Sequence, residues 1–253
     1  MELALIVTTT TKRRQSGNFE LIKYVYYNNN RVIGYRSMRI FIKRYGYEVS
    51  NTTMHKYMNK QLNLCAIIMH SKPGYKAGKK NKIFDNLLNQ RFTVDCKNKV
   101  WCTDFTYMRQ PNGKFRYNCS IIDLYDRSAV ASLNSDYINT DLAIDTLKTA
   151  LKKEKHPKVI LHSDQGVQFT SCEFVNFCKD NNITQSMSKA GCPYDNAPME
   201  RFYNNFKSNF YNVTSFSNVE VMDELTTKYI NWYNYVRPHS HNNYLTPMEA
   251  RYK

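Results

Sequence analysis

The sequence lacks the features of a membrane-spanning protein or of a secreted, disulfide-bonded one. Its 253 residues contain no apolar run of the roughly 18 residues that a membrane-spanning helix needs. The apolar run at residues 3–7 is short and follows no basic segment, so it does not indicate a signal peptide. The seven cysteines are odd in number and form no C-x-x-C pair, which argues against a disulfide framework and a zinc site. We therefore expect reduced thiols, a cytoplasmic location and no membrane partner.

Acidic residues are scarce in the first third of the chain. Residues 1–92 hold 4 Asp and Glu against 17 Lys and Arg, whereas residues 93–253 hold 17 against 19. Almost all of the net charge of +15 therefore belongs to the N-terminal third. Such an imbalance favours a polyanionic partner, and nucleic acid in particular. The alternative interpretation is a solvated lysine-rich surface.

The composition is that of a folded globular protein. Apolar residues make up 42% of the chain and charged residues 23%, and the mean hydropathy is −0.62. The length suits one larger domain and a smaller appendage. We predict a helical N-terminal domain over residues 1–72, a basic linker over residues 73–92, and an α/β domain with a helical C-terminal extension over residues 93–253.

Residues 34–64 are predicted to form two helices and a turn. Apolar residues recur at helical spacing on both sides of a break at Tyr45-Gly46-Tyr47, and Ser50 can cap the second helix. This outline is that of a helix-turn-helix, with cations where phosphates would lie. A plain helical hairpin with a solvated charged face is the alternative. The candidate DNA-binding cations of this segment are Arg36, Arg39, Lys43, Arg44, Lys56 and Lys60.

From residue 100 the apolar pattern takes the period of two that is typical of strands. Asn112-Gly113 supplies a hairpin turn, and Thr170 with Glu173 forms a capping-box pattern at a helix start. The predicted strands cover residues 100–107, 115–122, 128–133, 159–161 and 183–185. The predicted helices cover residues 141–153, 170–179, 197 onward and 219–235. This order is that of an RNase H-like domain, a mixed five-stranded sheet flanked by helices.

Three carboxylates occupy positions that need a chemical explanation. Asp104 lies in the middle of a predicted strand, where an unpaired carboxylate is costly to bury. Asp164 follows the end of a buried strand, where α/β proteins place ligands, and Gly166 permits a tight turn there. Glu200 shares one helix face with Asn204 and Lys207, opposite the apolar residues of that helix.

Carboxylates that face one cleft supply the hard oxygen ligands that Mg²⁺ prefers. Two such ions, roughly 3.5 to 4 Å apart in known sites, clamp the attacking and leaving oxygens of an in-line phosphoryl displacement. One site can then both hydrolyse a phosphodiester and use a DNA 3′-OH as the nucleophile. A Ser or Cys nucleophile is not required, which agrees with the absence of a G-x-S-x-G motif from the sequence.

The chain resembles the integrase core of bacterial insertion-sequence transposases, the second reading frame product of two-frame elements. These proteins are similar to retroviral integrases. The 35 residues between Asp164 and Glu200 match the spacing of the family's Asp, Asp, 35, Glu (DDE) signature. GYRSMRIFIKRYGY at residues 34–47 resembles the family's upstream helix-turn-helix. The other matching strings are WCTDFTY (101–107), HSDQGVQFTS (162–171), NAPMERFYNNFKSNF (196–210), YINWYNYVRPH (229–239) and LTPMEAR (245–251).

This resemblance implies a DNA transposase that cuts at transposon ends and joins the freed 3′-OH to another DNA strand. It implies that Asp104, Asp164 and Glu200 hold two Mg²⁺ or Mn²⁺ ions. Lys207 would contact the DNA end, with Asn204 beside it. The resemblance also implies a homo-oligomer that brings two ends together, a partner protein from the first reading frame, and association with the bacterial nucleoid.

Other interpretations stay open at the level of sequence. The chain could be an inactive transposase remnant that binds DNA, a phage- or retroelement-like integrase, or an RNase H-type nuclease. His162 has two readings, a group behind the metal site or a structural residue beside a strand end. Arg237 and His239 either contact DNA or cap the last predicted helix. Asp123 is interpreted as a turn residue rather than a fourth ligand.

Overall fold

The computed structural model describes residues 11–66 and 82–253, with side chains from residue 19 onward. These residues fall into two units, of which the smaller holds the N-terminal residues together with Lys207–Val213. The larger unit holds the rest of the described chain. Within these ranges no helix combines the length and the apolarity needed to cross a bilayer. The first half of the predicted linker, residues 73–81, lies outside the described residues.

The smaller unit is built from helices. Ser50 Oγ accepts a hydrogen bond from the Thr53 backbone N–H at 3.1 Å, which confirms the predicted cap. Gly46, at φ +88°, ends the preceding helix in a conformation that favours glycine. The helices are α1 (Thr11–Asn28), α2 (Tyr35–Arg44) and α3 (Asn51–His55), which continues as a π-helical segment over Lys56–Gln61. Their buried apolar residues include Ile22, Val25, Met38, Ile42, Met54 and Met58.

The larger unit contains the mixed five-stranded sheet that the sequence predicts. Its strands are β1 (Val100–Arg109), β2 (Phe115–Asp123), β3 (Ala129–Ser135), β4 (Ile160–Ser163) and β5 (Thr184–Met187). They lie in the order β3-β2-β1-β4-β5. The first three strands are antiparallel neighbours, whereas β4 pairs parallel with both β1 and β5. A sheet of this kind places the carboxyl ends of β1 and β4 at the same edge.

Helices cover both faces of the sheet. They are α4 (Thr140–Lys153), α5 (Val167–Thr170), α6 (Cys172–Asp180), α7 (Ala197–Asn209), α8 (Val219–Tyr235) and α9 (Pro247–Arg251). On one face, Trp101, Leu147 and Phe174 belong to a continuous apolar core that joins the sheet to α4 and α6. On the other face, α7 reaches the sheet through Tyr203, which bonds to β1 and β2. The core therefore fixes both helix layers against the central strand β1.

One helix start differs from the sequence prediction. The predicted capping box of Thr170 and Glu173 is wrong, because Ser171 is the N-cap of α6 and accepts from the Phe174 N–H at 3.2 Å. The reason is an additional helical turn, α5, of which Thr170 is the last residue. The Thr170 hydroxyl donates within that turn, to the carbonyl of Gly166 at 3.2 Å.

The second half of the predicted linker, residues 82–92, runs along the edge strand β5. The Met187 N–H donates to the Asp85 carbonyl at 3.3 Å, and the Leu87 N–H donates to Ser186 Oγ at 3.0 Å. The segment thereby covers a sheet edge that would otherwise expose its hydrogen-bonding groups. These bonds attach residues 82–92 to the α/β domain rather than leaving them as a free connection.

A buried ion cluster surrounds Arg251 at the end of α9. The guanidinium lies 3.0 Å from Asp123, 2.5 Å from Asp126 and 2.6 Å from Glu154, and the Arg251 side chain is 1% exposed. Asn98 Oδ1 accepts a further bond from Arg251 at 2.8 Å. The cluster joins the C-terminal helix to the turn after β2 and to the end of α4. Asp123 therefore serves as a buried structural group at the end of β2.

The cysteines divide into buried and exposed thiols. Burial raises the pKa of Cys102, Cys119 and Cys178 to about 12. These three thiols stay protonated at neutral pH, and a protonated thiol is a poor nucleophile. The exposed cysteines are Cys65, Cys96, Cys172 and Cys192.

Candidate active site

Asp104 lies within β1, and Asp164 is the first residue after the parallel neighbour β4. The last paired residues of β1 and β4 are Cys102 and His162, and each aspartate lies two residues further along. Residues two apart on a strand point to the same face of a sheet. Asp104 therefore shares a face of the sheet with Cys102, and the parallel register brings the chain that carries Asp164 alongside β1. Both side chains are half-buried.

Each aspartate carboxylate accepts a bond from a backbone N–H nearby. Asp104 Oδ1 lies 2.7 Å from the Phe105 N–H, and Asp164 Oδ1 lies 2.8 Å from the Gly166 N–H. A Cβ atom at Gly166 would stand only 2.9 Å from Asp164 Oδ1. Because residue 166 has no side chain, the Asp164 carboxylate has room to bend back over the turn.

Glu200 is carried over the sheet by α7, which is tied to β1 on both sides of it. Asn196 Nδ2 donates to the Thr103 carbonyl at 3.3 Å, and the Tyr203 hydroxyl donates to the Asp104 carbonyl at 2.8 Å. Glu200 lies between these two ties and is exposed. The three predicted ligands are therefore carried by β1, by the end of β4 and by a helix fastened to β1.

The side chains of these residues do not form a finished coordination site. In residues 11–66 and 82–253, no three His, Cys, Asp or Glu side chains are arranged so that they could hold a metal ion. The elements that carry Asp104, Asp164 and Glu200 converge, but their carboxylates are not gathered.

A buried hydrogen-bond network supports the loop that leads into α7. His162 is fully buried, with Nδ1 2.9 Å from Ser186 Oγ and Nε2 3.0 Å from the Asp195 carbonyl. Burial lowers the pKa of His162 to about 4, so the imidazole is neutral at physiological pH. This environment favours the structural interpretation of His162, a residue that joins β4 to the loop before α7.

Asp195 is the second centre of this network. Its carboxylate accepts from the Lys189 backbone N–H at 3.0 Å, and from Asn86 and Gln90 at 2.9 Å each. These hydrogen bonds, the Lys189 N–H foremost, lower the pKa of Asp195 below its usual value. A carboxylate held in this way stays ionised and fixes residues 82–92 to the start of α7.

The predicted DNA contacts lie on two surfaces. On α7, Asn204 is exposed and Lys207 is half-buried. In the smaller unit, Arg39 is half-buried and its Nε is a buried atom without a hydrogen-bond partner. Lys43 lies 2.8 Å from Glu48, which neutralises part of its charge. The exposed predicted cations of α2, α3 and the π-helical segment are Arg36, Lys43, Arg44, Lys56 and Lys60.

Arg237 and His239 contact each other inside the C-terminal extension. Arg237 Nη1 donates to His239 Nε2 at 3.1 Å, and the His239 ring packs edge-on against Tyr233. His239 is 7% exposed. Burial, and next the charge of Arg237, lower the pKa of His239 well below its usual value. A structural role therefore accounts for His239 better than a DNA contact does.

Tyr203, Asn118 and Asp195 are site-supporting residues that sequence reasoning missed. Tyr203 and Asn118 are 85 residues apart, so no local pattern relates them. The available signal was an Asn within a predicted strand, because Asn is depleted in strands and a buried amide requires partners. A second signal was the position of Tyr203 three residues after Glu200, because residues three apart are neighbours on a helix surface.

Comparison with known proteins agrees with this architecture. Two models of the integrase core domain match residues 94–193 and residues 181–247. InsK of insertion sequence element IS150 from Escherichia coli K12 is 30% identical over 231 residues, which span 91% of this chain and 81% of InsK. Transposase InsF of IS3A from the same organism is 35% identical over 173 residues, or 68% of this chain. The match spans 60% of InsF, less than two thirds of its length.

Solved structures confirm the fold. A simian T-cell lymphotropic virus intasome in complex with a PP2A regulatory subunit aligns with a TM-score of 0.52 and 14% identity, over 93% of this chain and 74% of that one. The HTLV-2 integrase catalytic core domain in complex with magnesium aligns with a TM-score of 0.52 and 18% identity, over 62% of this chain and 97% of that one. The predicted RNase H-like integrase fold is therefore confirmed.

These matches connect the sheet, its helices and most of the chain to one group of proteins. The relative that is 30% identical is covered over 81% of its length, and the two domain models together extend from residue 94 to residue 247. This chain therefore belongs to the family of insertion-sequence transposases that carry an integrase core domain.

Proposed function

We propose that this chain cleaves DNA at the ends of an insertion sequence and joins the freed 3′-OH to another DNA strand. In this proposal Asp104, Asp164 and Glu200 hold two Mg²⁺ or Mn²⁺ ions. The observation that supports it most is the parallel register of β1 and β4, which brings the chain segments of Asp104 and Asp164 together, next to a helix fastened to β1 that carries Glu200. Family membership supports the reaction class, a polynucleotidyl transfer.

The residues fit such ions in three respects. Their donors are carboxylate oxygens, which divalent magnesium and manganese prefer. Two of the donors lie on β1 and directly after its parallel neighbour β4. Gly166 leaves the space that the Asp164 carboxylate occupies, space that a Cβ atom would fill. Rotation of the Glu200 side chain on α7 would complete the set.

When bound, the ions would activate the attacking oxygen and neutralise charge on the leaving oxygen of the phosphodiester. The protein's own contribution is orientation. β1 and the turn after β4 hold Asp104 and Asp164, and the ties of Asn196 and Tyr203 hold the helix of Glu200. Since these positions are set by backbone and core contacts, little reorganisation is needed when DNA enters.

DNA would be held by cations on two surfaces. On α7, Asn204 and Lys207 follow Glu200 along the helix and would contact the DNA end. The helices of the smaller unit present cations, all exposed except the half-buried Arg39, that would contact phosphates in the manner of a helix-turn-helix. These cations are Arg36, Arg39, Lys43, Arg44, Lys56 and Lys60.

Assembly would follow from the reaction, because two DNA ends must meet before they are joined. We infer a homo-oligomer on DNA and a first reading frame protein that recognises the end sequence. The relevant structural neighbours include an intasome and a trimeric integrase core, which support assembly as a property of this fold.

A strand-transfer assay tests the proposed function. Labelled duplexes that carry the terminal repeats of the element would be incubated with the protein and Mg²⁺ or Mn²⁺. We expect joined products with wild-type protein, and no joined products with Asp104→Asn or with chelator present. Wild-type activity equal to that of Asp104→Asn would favour an inactive DNA-binding remnant. Preferential cutting of an RNA/DNA hybrid would favour a nuclease.

A further inference from the structure

The Tyr203 hydroxyl connects the helix of Glu200 to two central strands. It donates to the Asp104 carbonyl at 2.8 Å, and it lies 3.2 Å from Asn118 Oδ1 and 3.3 Å from the Asn118 carbonyl. The residue is 6% exposed. One buried hydroxyl therefore bonds to the backbone of Asp104, a predicted ligand. Its own residue, Tyr203, follows Glu200, another predicted ligand, by three positions.

Asn118 belongs to a polar network inside the sheet. Its Nδ2 donates to Ser132 Oγ at 2.9 Å and to Asn134 Oδ1 at 2.8 Å, and its Oδ1 accepts from Ser120 Oγ at 2.7 Å. Asn118 and Ser120 are fully buried. Buried polar groups are costly unless they are satisfied, and a satisfied network holds one geometry. Tyr203 is thus attached to a group whose own orientation is fixed.

Glu200 lies between two directional anchors of α7. Asn196, four residues before it, donates to the Thr103 carbonyl, and Tyr203 follows three residues after it. With a rise of about 1.5 Å per residue, Tyr203 stands roughly 4.5 Å from Glu200 along the axis of α7, and Asn196 lies directly before that helix begins at Ala197. The anchored carbonyls belong to consecutive residues of β1. The anchors therefore fix the height and rotation of Glu200 relative to Asp104.

Apolar packing of α7 does not give the same control. Phe202 and Phe206 are buried, and their rings pack against Tyr233 and Tyr229 of α8. Apolar contacts keep the helix close to its neighbours, but they have little directional preference. A hydrogen bond weakens steeply as its angle departs from linearity, so it resists rotation and sliding of the helix.

We propose that the Tyr203 hydroxyl is a positioning group, which sets α7 on β1 so that Glu200 can share its metal ions with Asp104. This inference rests on the proposed function. It assigns Tyr203 no contact with DNA or with a reacting atom. Groups that orient metal ligands typically contribute about 10- to 100-fold to metal affinity or activity. Tyr203→Phe should therefore lower Mn²⁺ affinity and the rate of strand transfer by about tenfold or more.

The test uses the full chain and Mn²⁺ itself as the probe. Calorimetric titration would measure Mn²⁺ affinity for wild type, Tyr203→Phe and Tyr229→Phe. The control Tyr229 is also a buried tyrosine, and its ring contacts are with Phe206, Trp232 and Tyr233. We expect weaker Mn²⁺ binding and a lower rate for Tyr203→Phe alone, with unchanged affinity for the DNA end. Equal effects of the two substitutions would overturn the inference.

A double-substitution cycle separates positioning from a general loss of stability. If Tyr203 acts through Glu200, Tyr203→Phe should have no further effect on Mn²⁺ affinity in a Glu200→Gln background. Additive effects would overturn the inference, and this comparison holds even when the variants unfold at lower temperature. If wild-type protein binds no Mn²⁺ and joins no DNA, the proposed function fails and the inference fails with it. If wild type does both, only the Tyr203 results decide.

Discussion

The larger unit contains two sets of three carboxylates that have opposite surroundings. Asp123, Asp126 and Glu154 surround the Arg251 guanidinium near the amino end of β1, where Asp123 pairs with Trp101. In the second set, Asp104 lies three residues after Trp101 on β1, Asp164 follows β4, and Glu200 lies on α7. The first set is almost entirely buried, whereas the second is half-buried or exposed.

The two sets differ in where the positive charge that balances their carboxylates comes from. The buried set surrounds a guanidinium of the same protein, which offsets part of its negative charge. A buried carboxylate without such a partner would be strongly unfavourable. The accessible set keeps its carboxylates within reach of solvent and on separate elements. Carboxylates thus serve stability near the amino end of β1 and, in our proposal, catalysis near its middle.

The largest effect is expected from Asp104→Asn. Metal ions contribute several kcal/mol to transition-state stabilisation, and each 1.4 kcal/mol is about tenfold in rate. Strand transfer should therefore fall by about a thousandfold or more, while the free energy of unfolding changes little because Asp104 is half-buried. Rates from labelled DNA ends and urea unfolding curves check both expectations. Asp145→Asn, an exposed aspartate on α4, should leave both quantities near wild type.

Arg251→Met is expected to lower the stability of the protein. Removal of one partner from a buried ion cluster leaves uncompensated charge and typically costs about 3–5 kcal/mol. The free energy of unfolding should fall by that amount, measured by urea denaturation. Lys148→Met, which breaks an exposed pair with Asp145, should be hard to distinguish from wild type. A stable Arg251→Met variant would show that the cluster does not hold α9 to the sheet.

A smaller effect should follow from adding metal ions. A ligand that binds only the folded state stabilises it by about 2.7 kcal/mol at one hundred times its Kd. The thermal midpoint of wild-type protein should therefore rise with Mn²⁺ concentration. The rise should vanish in Asp104→Asn and persist in any folded variant of the Arg251 cluster. A rise retained in Asp104→Asn would place the ion elsewhere.

The smallest effect concerns pH and the buried His239. Its folded-state pKa lies well below the usual value because of burial, whereas the unfolded chain takes up a proton near pH 6.5. Stability is therefore present above pH 6.5 and is lost as pH falls toward the folded-state pKa. The protein should therefore be measurably less stable at pH 5.5 than at pH 7.5. Unfolding curves at pH 7.5 and 5.5 should show this loss, and His239→Gln should reduce it.

The sheet could be predicted from sequence because its strands carry local signals. The period of two from residue 100 and the Asn112-Gly113 turn predict β1, β2 and the hairpin between them, and Gly113 has the expected positive φ. The helix α8 was predicted with its observed bounds. By contrast, α1 was not predicted, because residues 11–28 show no sequence pattern strong enough to indicate a helix.

Contacts between distant residues explain what the sequence did not reveal. Arg251 bonds to Asp123 and Glu154, which precede it by 128 and 97 residues. No periodicity or spacing relates such residues, and Arg251 appeared only as the end of a family string. The positions of Asp104 and Asp164 followed from strand ends and from resemblance, whereas the support from Tyr203 required the packing of α7 on the sheet.

The exposed thiol of Cys192 lies eight residues before Glu200, in the loop that leads into α7. Maleimide dyes react with accessible thiols, and the high pKa of Cys102, Cys119 and Cys178 keeps those three unreactive. Replacement of Cys65, Cys96 and Cys172 by serine would leave one fluorophore attachment point beside the candidate active site. Cys192 is thus a labelling site, already present in the sequence, for measuring how this loop responds to DNA binding.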